Sequence, residues 1–526
     1  MTQHQEDDVT PHTPATPAAT PAAPAASGLS RRGLLLGSAA AVLAAAPLTA
    51  GAARAATAAV AGRTPKVLVI GLDGTMLNRI KDSGAANLNA LMAGGLTAAG
   101  SLYANPMAGT SSGPGWSTVA TGVWPDKHNV RDNNFTAPAF AAYPDFLTRA
   151  ETARPALNTY VVASWAPIAD IIYSGRVDTR VATPSAEYDA GTTSRAVARL
   201  RDTDPDAVFV QLDNVDHAGH SSGSASQAYL EAIRGVDAQV GQILAAVRGR
   251  TGYAQEDWLV MVTADHGHTP TGGHGGSTWE ERQTFVIANG SAFPAGSVRY
   301  DVRMVDIAPT ALAHLGIAVD PAWGLDGSPV PSLVPDAFDA LRPQLTGRVD
   351  ETGIPAGVLG FTHTPPSGWS VDNSAMGTGG VTEWRGWSFT TDEFWTKAQR
   401  DQSRELNVRA RNVFAVADSD EWADKTFKGS YDSTLVSPEY PVAGLATVPV
   451  SFTTYYQQEG AQTAQVLAVW DGGAPVQVKS YTAETNGRQT LNLAVPAGAS
   501  RLRLRFRYTG SNNWYWVLDN VRVGQS

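Results

Sequence analysis

Residues 207–220 read AVFVQLDNVDHAGH, and the segment changes character halfway along. Its first six residues form an almost continuous apolar run, which is typical of a strand buried on both faces of a mostly parallel sheet. Its second half contains Asp213, Asp216, His217 and His220. In open α/β sheets, ligands bind beyond the carboxyl ends of the strands. The segment therefore predicts a buried strand that ends at a polar site.

Other apolar runs have the length and composition of buried strands: KVLVIGL (66–72), TYVVAS (159–164), WLVMVTA (258–264) and TFVIANG (284–290). Between two of the runs, apolar residues recur mostly at helical steps from Tyr229 to Val247, which predicts one face of a helix that stops near Gly249. A further helix is expected after Asp306. The alternation of strands and helices predicts an α/β domain over residues 65–340, with a mostly parallel sheet flanked by helices.

Acid and imidazole side chains follow three of the predicted strands. Asp73 directly follows KVLVIGL, Asp213 and Asp216 follow AVFVQL, and Asp265-His266 follow WLVMVTA. A single Asp after a strand is commonly a helix cap or a turn residue. Here, however, five of the ten histidines fall in two short stretches beside these acids. The combination favours a metal site at one edge of the sheet.

The spacing of Asp216, His220 and His274 predicts one ion-binding site. Asp216 and His220 are four residues apart, so one helical turn or a tight loop can aim both at the same ion. His274 lies in the glycine-rich sequence GGHGG and can complete that site. His217 and His268 are interpreted as packing residues or as partners of the ligands.

A second ion-binding site is predicted from Asp73, Asp265 and His266. Asp265 and His266 are adjacent, so within a strand they would point to opposite faces. They can serve one ion only if the strand has already ended, and Gly267 indicates that it has. Two zinc-type ions need about three or four nitrogen or oxygen ligands each, which these residues and a nearby hydroxyl can supply.

The segment GTSSGPGWSTVATGVWP (109–125) places hydroxyl groups where a helix is expected to begin. Ser112 precedes Gly113-Pro114, and because proline is tolerated in a first helical turn, a helix can wind from Trp116 onward. A Ser112 alkoxide there would be stabilised by unpaired backbone N–H groups and by a nearby metal, and the same groups would hold a phosphoryl oxygen. The alternative is a plain N-cap serine; the neighbouring metal ligands favour a nucleophile.

Taken in chain order, these residues resemble the alkaline phosphatase superfamily, and within it the nucleotide pyrophosphatase/phosphodiesterase branch. The resemblance covers about residues 65–335 and depends on the ordered set Asp73, Ser112, Asp216-x3-His220, Asp265-His266 and His274. It implies an alkaline-phosphatase-like fold and two zinc ions, one held by Asp73, Asp265, His266 and the Ser112 oxygen, the other by Asp216, His220 and His274. Other divalent metals such as Mn or Fe can occupy such ligands. In-line attack of Ser112 on phosphorus, a covalent phosphoserine and its hydrolysis by water are also implied.

Three further positions bear on the substrate. Diesterases of the branch carry Asn at the end of the stretch after the nucleophile, where the amide holds a phosphate oxygen, and matching that pattern gives Asn133; the alternative is a turn residue in RDNNF. The branch tends to have Asn three places after the nucleophile, where this chain has Gly115, which weakens a nucleotide-specific assignment. Related sulfatases need Arg where this chain has Trp116, so a sulfatase is not expected.

Composition and the N-terminus indicate partners and location. The net charge is −10 and no run of Lys and Arg forms a basic patch, so nucleic acid is not expected as a stable partner. The chain has no Cys, which excludes disulfides and thiolate metal sites. Residues 1–55 contain Arg31-Arg32 before an apolar Leu/Ala stretch, which resembles a twin-arginine signal peptide cleaved after Ala55. A transmembrane anchor is the alternative; the expectation is a secreted protein without one.

After a predicted linker at residues 341–356, residues 357–526 show period-two alternation bounded by Gly, Asn and Asp. This pattern predicts an all-β sandwich of jelly-roll type. Trp514 and Trp516 would share one face of a strand and could stack on a cell-surface carbohydrate, although a packed core is the simpler interpretation. Asp372 and Asp519 are candidates for a structural calcium ion.

The sequence thus predicts a secreted metal-dependent phosphoric ester hydrolase that acts on a small-molecule or lipid phosphate ester. The alternative is a cell-surface or carbohydrate-binding protein whose phosphatase-like domain has lost its activity. The complete ligand set favours the hydrolase, because an inactive domain would be expected to have lost ligands.

Overall fold

A computed structural model gives the structure of residues 62–524. The signal peptide predicted at residues 1–55 falls outside the described residues and stays a prediction. Within residues 62–524, no helix is both long and apolar enough to cross a membrane.

The α/β part is built on a mixed sheet of eight strands in the order β4-β3-β5-β1-β6-β7-β2-β8. Its strands are β1 (Thr64–Leu72), β2 (Leu96–Ser101), β3 (Thr159–Ala163), β4 (Thr179–Ala182), β5 (Ala207–Leu212), β6 (Glu256–Thr263), β7 (Gln283–Asn289) and β8 (Ser297–Arg299). Only β7 runs antiparallel to its neighbours. The mostly parallel sheet is confirmed. The strand predicted at TFVIANG is reversed because the chain returns from β6 through a loop and not through a crossover helix.

The helices of this part are α1 (Leu77–Ser83), α2 (Ala86–Gly94), α3 (Ser112–Thr121), α4 (Pro125–His128), α5 (Phe146–Ala153), α6 (Tyr188–Asp202), α7 (Asn214–Ser222), α8 (Gln227–Arg248), α9 (Trp279–Arg282) and α10 (Ile307–His314). The helix predicted from periodicity is present as α8, and the helix expected after Asp306 is present as α10. Helix α3 begins at Ser112, four residues before the predicted start at Trp116. A π-helical turn spans Ile168–Ile172, and 3-10 helices span Tyr253–Gln255, Met304–Asp306, Pro321–Trp323, Val330–Ser332, Phe338–Gln344, Thr382–Trp384 and Arg404–Leu406.

Strand β1 shows why the sheet is covered on both faces. Its residues Leu68 and Ile70 belong to the apolar cluster that contains the buried face of α8. Val67 and Val69, which point the other way, belong to the cluster that contains Trp116 of α3. Because successive strand residues face opposite sides, a continuous apolar run is buried only between two layers of helices, as the sequence predicted.

The C-terminal part is a sandwich of two five-stranded antiparallel sheets, β11-β12-β20-β15-β18 and β17-β16-β19-β14-β9, beside a two-stranded pair β10-β13. Its elements are β9 (Ser370–Asp372), β10 (Thr378–Gly379), β11 (Ser388–Thr390), α11 (Asp392–Ala398), β12 (Phe414–Asp418), α12 (Ser419–Ala423), β13 (Phe427–Lys428), β14 (Tyr431–Pro441), β15 (Thr447–Tyr456), β16 (Thr463–Trp470), β17 (Val476–Tyr481), β18 (Thr485–Ala494), β19 (Arg501–Gly510) and β20 (Tyr515–Val523). Phe452 and Phe506 meet between the sheets with ring centroids 5.6 Å apart. The predicted C-terminal β-sandwich is confirmed, with the two short helices α11 and α12 inserted between its strands.

Two suggestions about this part gain no support from the structure. Trp516 is fully buried and its Nε1 donates to Thr454, so this ring belongs to the core. Trp514 is partly buried and precedes β20, so the two rings do not form the shared strand face that the sequence suggested. Asp372 pairs with Arg505 in one sheet, whereas Asp519 lies in the other. Neither is in a potential ligand group found among residues 62–524.

The predicted linker at residues 341–356 is packed. Leu341, Leu345 and Ile354 are buried, and the Glu383 Oε1 accepts hydrogen bonds from the three consecutive backbone N–H groups of residues 349–351. The segment is therefore held against the sandwich, and the domain limits drawn from the sequence stay predictions.

Candidate metal centre

The acids predicted at three strand ends lie at neighbouring positions of the sheet, because β5, β1 and β6 are adjacent. Asp73 follows β1 and Asp265 follows β6, while Asp216 lies on α7 directly after β5. The structure also brings His266 and His274 to this edge. Among residues 62–524, two groups have ligand atoms within 4.8 Å of one another: Asp73, Asp265 and His266, and Asp216, His266, His268 and His274.

In the first group, one acceptor atom from each of the three side chains points toward a common centre. The His266 Nε2 lies 3.2 Å from the Asp265 Oδ2 and 3.6 Å from the Asp73 Oδ1. Both carboxylate oxygens are buried and have no hydrogen-bond partner among the described residues. The His266 Nδ1 lies 3.1 Å from the Gly267 carbonyl oxygen, so the ring proton belongs on Nδ1 and Nε2 is left as an acceptor. This arrangement of acceptor atoms suits a cation.

Burial sets the protonation tendencies of the same residues. It raises the pKa of Asp73 well above its usual range, with the nearby charge of Asp265 adding to the effect. Burial raises the pKa of Asp265 to about 7. Burial lowers the pKa of His266 well below its usual range, which keeps the imidazole neutral. A divalent cation suits two buried carboxyl groups with raised pKa values beside a neutral imidazole, because its positive charge would stabilise the ionised carboxylates.

The second group is centred on Asp216. Its Oδ2 lies 3.3 Å from the His220 Nε2, its Oδ1 lies 3.4 Å from the His274 Nε2, and the two imidazole Nε2 atoms are 3.0 Å apart. The three residues predicted for the second ion are therefore together. The sequence interpretation placed His217 and His268 outside the sites. His217 is exposed, but the fully buried His268 has its Nε2 only 2.8 Å from the Asp216 Oδ1.

Ser112 is the first residue of α3 and is 7% exposed. Its Oγ lies 3.4 Å from the His266 Nε2, so the hydroxyl is at the edge of the first group. The N-cap of α3 is Ser111, and the alternative interpretation of Ser112 as a plain N-cap is therefore wrong. Gly115 brings α3 close to the end of β6, since a Cβ there would lie 2.6 Å from the Asp265 carbonyl oxygen. A side chain at position 115 has no room in this arrangement.

Asn133 lies beside the start of α3. Its Oδ1 accepts a 2.7 Å hydrogen bond from the Gly113 N–H. The Gly113 donor is therefore occupied, which corrects the expectation that it would be unpaired and free for a phosphoryl oxygen. The bond also fixes the amide orientation, because a backbone donor must face the oxygen and not the NH2 group. The side chain is exposed, so its NH2 group is available to a ligand.

Sequence reasoning missed two residues that hold Asp73. The Trp116 Nε1 donates to the Asp73 Oδ2 at 2.8 Å, and the Gln211 Nε2 donates to the same oxygen at 2.9 Å. Gln211 is the polar residue within the otherwise apolar strand β5, and this polar residue in a buried strand could have indicated a role at the site. Nothing local in the sequence ties Trp116 to Asp73, 43 positions away.

A helix-covered sheet here gathers paired acids and imidazoles next to a helix-start serine. The chain belongs to the type I phosphodiesterase / nucleotide pyrophosphatase family, whose model matches residues 67–404. The resemblance to the nucleotide pyrophosphatase/phosphodiesterase branch that the ordered motifs predicted is thereby confirmed.

Individual relatives are similar over part of the chain. The human GPI ethanolamine phosphate transferase 2 catalytic subunit is 28% identical over 137 residues, 25% of this chain and 14% of the relative. Mouse ectonucleotide pyrophosphatase/phosphodiesterase family member 3 is 26% identical over 230 residues, 39% of this chain and 25% of the relative. The chain thus spans a quarter or less of these relatives' lengths. The structure of murine ectonucleotide pyrophosphatase/phosphodiesterase 5 matches 49% of this chain and 96% of its own, with 14% identity and a TM-score of 0.40.

Proposed function

We propose that this chain is a secreted hydrolase of phosphoric esters that acts through the Ser112 nucleophile and a two-zinc centre. One observation supports the proposal most strongly: the buried Asp73 Oδ1 and Asp265 Oδ2, which have no hydrogen-bond partner within residues 62–524, converge with the His266 Nε2 beside the Ser112 hydroxyl. The donor set of carboxylate and imidazole suits zinc. Bound zinc would supply positive charge to the phosphoryl oxygens and favour the alkoxide form of Ser112.

Ser112 carries the covalent step in this proposal. The Ser112 Oγ, having lost its proton to solvent, forms a bond to phosphorus as the bond from phosphorus to the ester oxygen breaks, and the leaving alcohol takes up a proton. Water then attacks the phosphoserine, the bond between phosphorus and Oγ breaks, and Ser112 recovers its proton. A diester yields a monoester and an alcohol; a monoester yields phosphate and an alcohol.

Asn133 positions the phosphoryl group in the same proposal. Because its Oδ1 is held by the Gly113 N–H, the NH2 group is oriented by the turn that also carries Ser112. A donor fixed in this way can hold a phosphoryl oxygen in the transition state without reorganising.

The substrate class is a small-molecule or lipid phosphate ester. The contacts described act on the phosphoryl group, which diesters and monoesters share. The close approach of Gly115 to Asp265 leaves no room for the additional Asn of nucleotide-cleaving relatives, so a nucleotide is not specified.

Metal content and hydrolysis of bis-p-nitrophenyl phosphate and p-nitrophenyl phosphate, measured in the wild type and in Ser112→Ala, test the proposal. We expect two zinc ions per wild-type chain and a loss of between about 10³- and 10⁶-fold in kcat for Ser112→Ala. Ser111→Ala is the matched control, because Ser111 is the adjacent hydroxyl and its side chain makes no capping hydrogen bond. Comparable activity in Ser112→Ala, or no metal in the wild type, would contradict the proposal.

A further inference from the structure

We infer that His268 is a direct ligand of the ion held by Asp216 and His274, which makes the second site rich in imidazole and selective for zinc-type ions. The inference rests on the proposed function only in assuming that this group holds a cation.

Both nitrogens of the His268 ring lie close to oxygen acceptors. Its Nδ1 lies 3.2 Å from the Gly273 carbonyl oxygen, and its Nε2 lies 2.8 Å from the Asp216 Oδ1. Both neighbours are acceptors, but a neutral imidazole carries one N–H. With that proton on Nδ1, the Nε2 lone pair faces a carboxylate oxygen at close range. A shared cation would make both atoms ligands and remove the repulsion.

His268 repeats the arrangement of the two histidines already predicted as ligands. The Nδ1 atoms of His266 and His274 lie 3.1 Å and 2.8 Å from the carbonyl oxygens of Gly267 and Thr110. In each case Nε2 is directed at the carboxylates. Metal-ligating histidines characteristically donate their other N–H to a carbonyl or carboxylate, which fixes the tautomer and the ring orientation.

Two glycines form a cradle that keeps His268 at this position. A Cβ on Gly74 would lie 2.6 Å from the His268 Nε2, and one on Gly219 would lie 2.5 Å from the same atom. Gly74 follows Asp73 and Gly219 precedes His220, so the space is opened by the neighbours of two predicted ligands. A histidine that served only to pack would not need two side-chain-free positions at its Nε2.

The metal preference of the second site follows from its donors. His268 and His274 contribute two imidazoles beside the Asp216 carboxylate, and the half-exposed His220 adds a third imidazole 3.3 Å from the Asp216 Oδ2. Imidazole suits zinc, copper, iron and nickel, whereas sites of carboxylate and water suit magnesium, calcium and manganese. The second site should therefore discriminate against manganese and magnesium more strongly than the first, which has two carboxylates.

Metal binding by the full chain tests the inference without relying on activity. Zinc content after dialysis against a graded chelator and the absorption spectrum of the Co(II)-loaded protein are compared for wild type, His268→Ala and His217→Ala. We expect His268→Ala to weaken the second ion by more than the roughly 10–100-fold that loss of an outer partner costs, and to change the Co(II) spectrum. The exposed His217 provides the matched control and should leave both measurements unchanged.

Gly219→Ala provides an independent variant should His268→Ala fold poorly. Alanine is a better helix former than glycine, and Gly219 lies within α7, so the change acts mainly by displacing the ring. We expect weaker binding of the second ion, and no further loss when Gly219→Ala is added to His268→Ala. Retention of both ions at unchanged affinity in His268→Ala would overturn the inference while leaving the proposed function intact. A wild type that binds no metal would overturn both.

Discussion

The indole Nε1 of Trp116 donates a 2.8 Å hydrogen bond to the Asp73 Oδ2, so the helix that begins with Ser112 also orients a predicted metal ligand on β1. Gln211 donates to the same oxygen. With Oδ2 occupied by two donors, Oδ1 is left facing His266. The ring lies over Gly71, where a Cβ would come within 2.4 Å of it, and this close contact fixes the indole against the strand.

Trp116→Phe should weaken metal binding at the first site by about 10–100-fold, because Asp73 loses a hydrogen bond that orients it. Chelator competition followed by zinc analysis measures the change. Trp124→Phe is the control, since Trp124 is also buried and loses the same indole group at the N-cap of α4, away from Asp73. Equal metal affinity in the two variants would show that the bond to Asp73 does not tune the site.

Asn133→Asp should lower kcat/KM for bis-p-nitrophenyl phosphate by about 10²–10³-fold while metal content stays unchanged. Aspartate keeps an acceptor for the Gly113 N–H but removes the NH2 donor and adds negative charge near the phosphoryl group. Asn134→Ala, at the neighbouring exposed position, is the control. If Asn133 only supported the turn, Asn133→Asp would retain activity and Asn133→Ala would mainly lower the melting temperature.

Asp392→Asn should lower the free energy of unfolding by about 3–5 kcal/mol, because it leaves the buried Arg282 without its charge partner. Arg282 and Asp392 are both buried and 2.9 Å apart, and they join α9 to α11 of the C-terminal part. Glu439→Gln, which breaks an exposed pair with Arg501, should cost less than about 1 kcal/mol. Denaturant unfolding of both variants measures the difference. Similarly small decreases in the free energy of unfolding would mean that the Arg282–Asp392 pair does not stabilise the contact between the two parts.

His128 should make stability fall as the pH is lowered. Burial lowers the pKa of His128 to about 3 from an ordinary value of 6.5. Between those values the unfolded chain binds a proton that the folded chain excludes, so the free energy of unfolding declines by about 1.4 kcal/mol per pH unit on acidification. His128→Gln removes this contribution, and its stability should fall less than that of the wild type between about pH 6 and about pH 4.5. His217→Gln, at an exposed site, should follow the wild type; identical slopes in all three proteins would contradict the assignment.

The sheet and its site edge could be predicted because their signals are local. The run AVFVQL followed by Asp213 and Asp216 contains both the strand and its polar end within a few residues, and α8 shows its buried face in the periodicity from Tyr229 to Val247. The direction of each strand depends less on local sequence. Strand β7 has the composition of a parallel strand, but its antiparallel pairing depends on how the loop after β6 returns to the sheet.

Contacts between distant segments could not be predicted in the same way. His268 differs from His217 only by what folds around it: Gly74, Gly219 and Asp216 surround its ring, and these lie on two other segments of the chain. The absence of a side chain at Gly115 was read as a difference in substrate, and the structure adds a steric reason, since the residue lies against Asp265. Such roles follow from the assembled geometry and not from the identity of one residue.

In the proposed two-metal centre, Asp73, Asp265 and His266 hold one ion and Asp216, His220 and His274 hold another, with the Ser112 hydroxyl beside the first. Anomalous X-ray diffraction from crystals of the zinc-loaded chain, collected above and below the zinc absorption edge, tests it most directly. We expect two anomalous peaks, one between each set of side chains, and the Ser112 Oγ next to the first peak. A single peak elsewhere, or no peak at this edge of the sheet, would contradict the two-metal account.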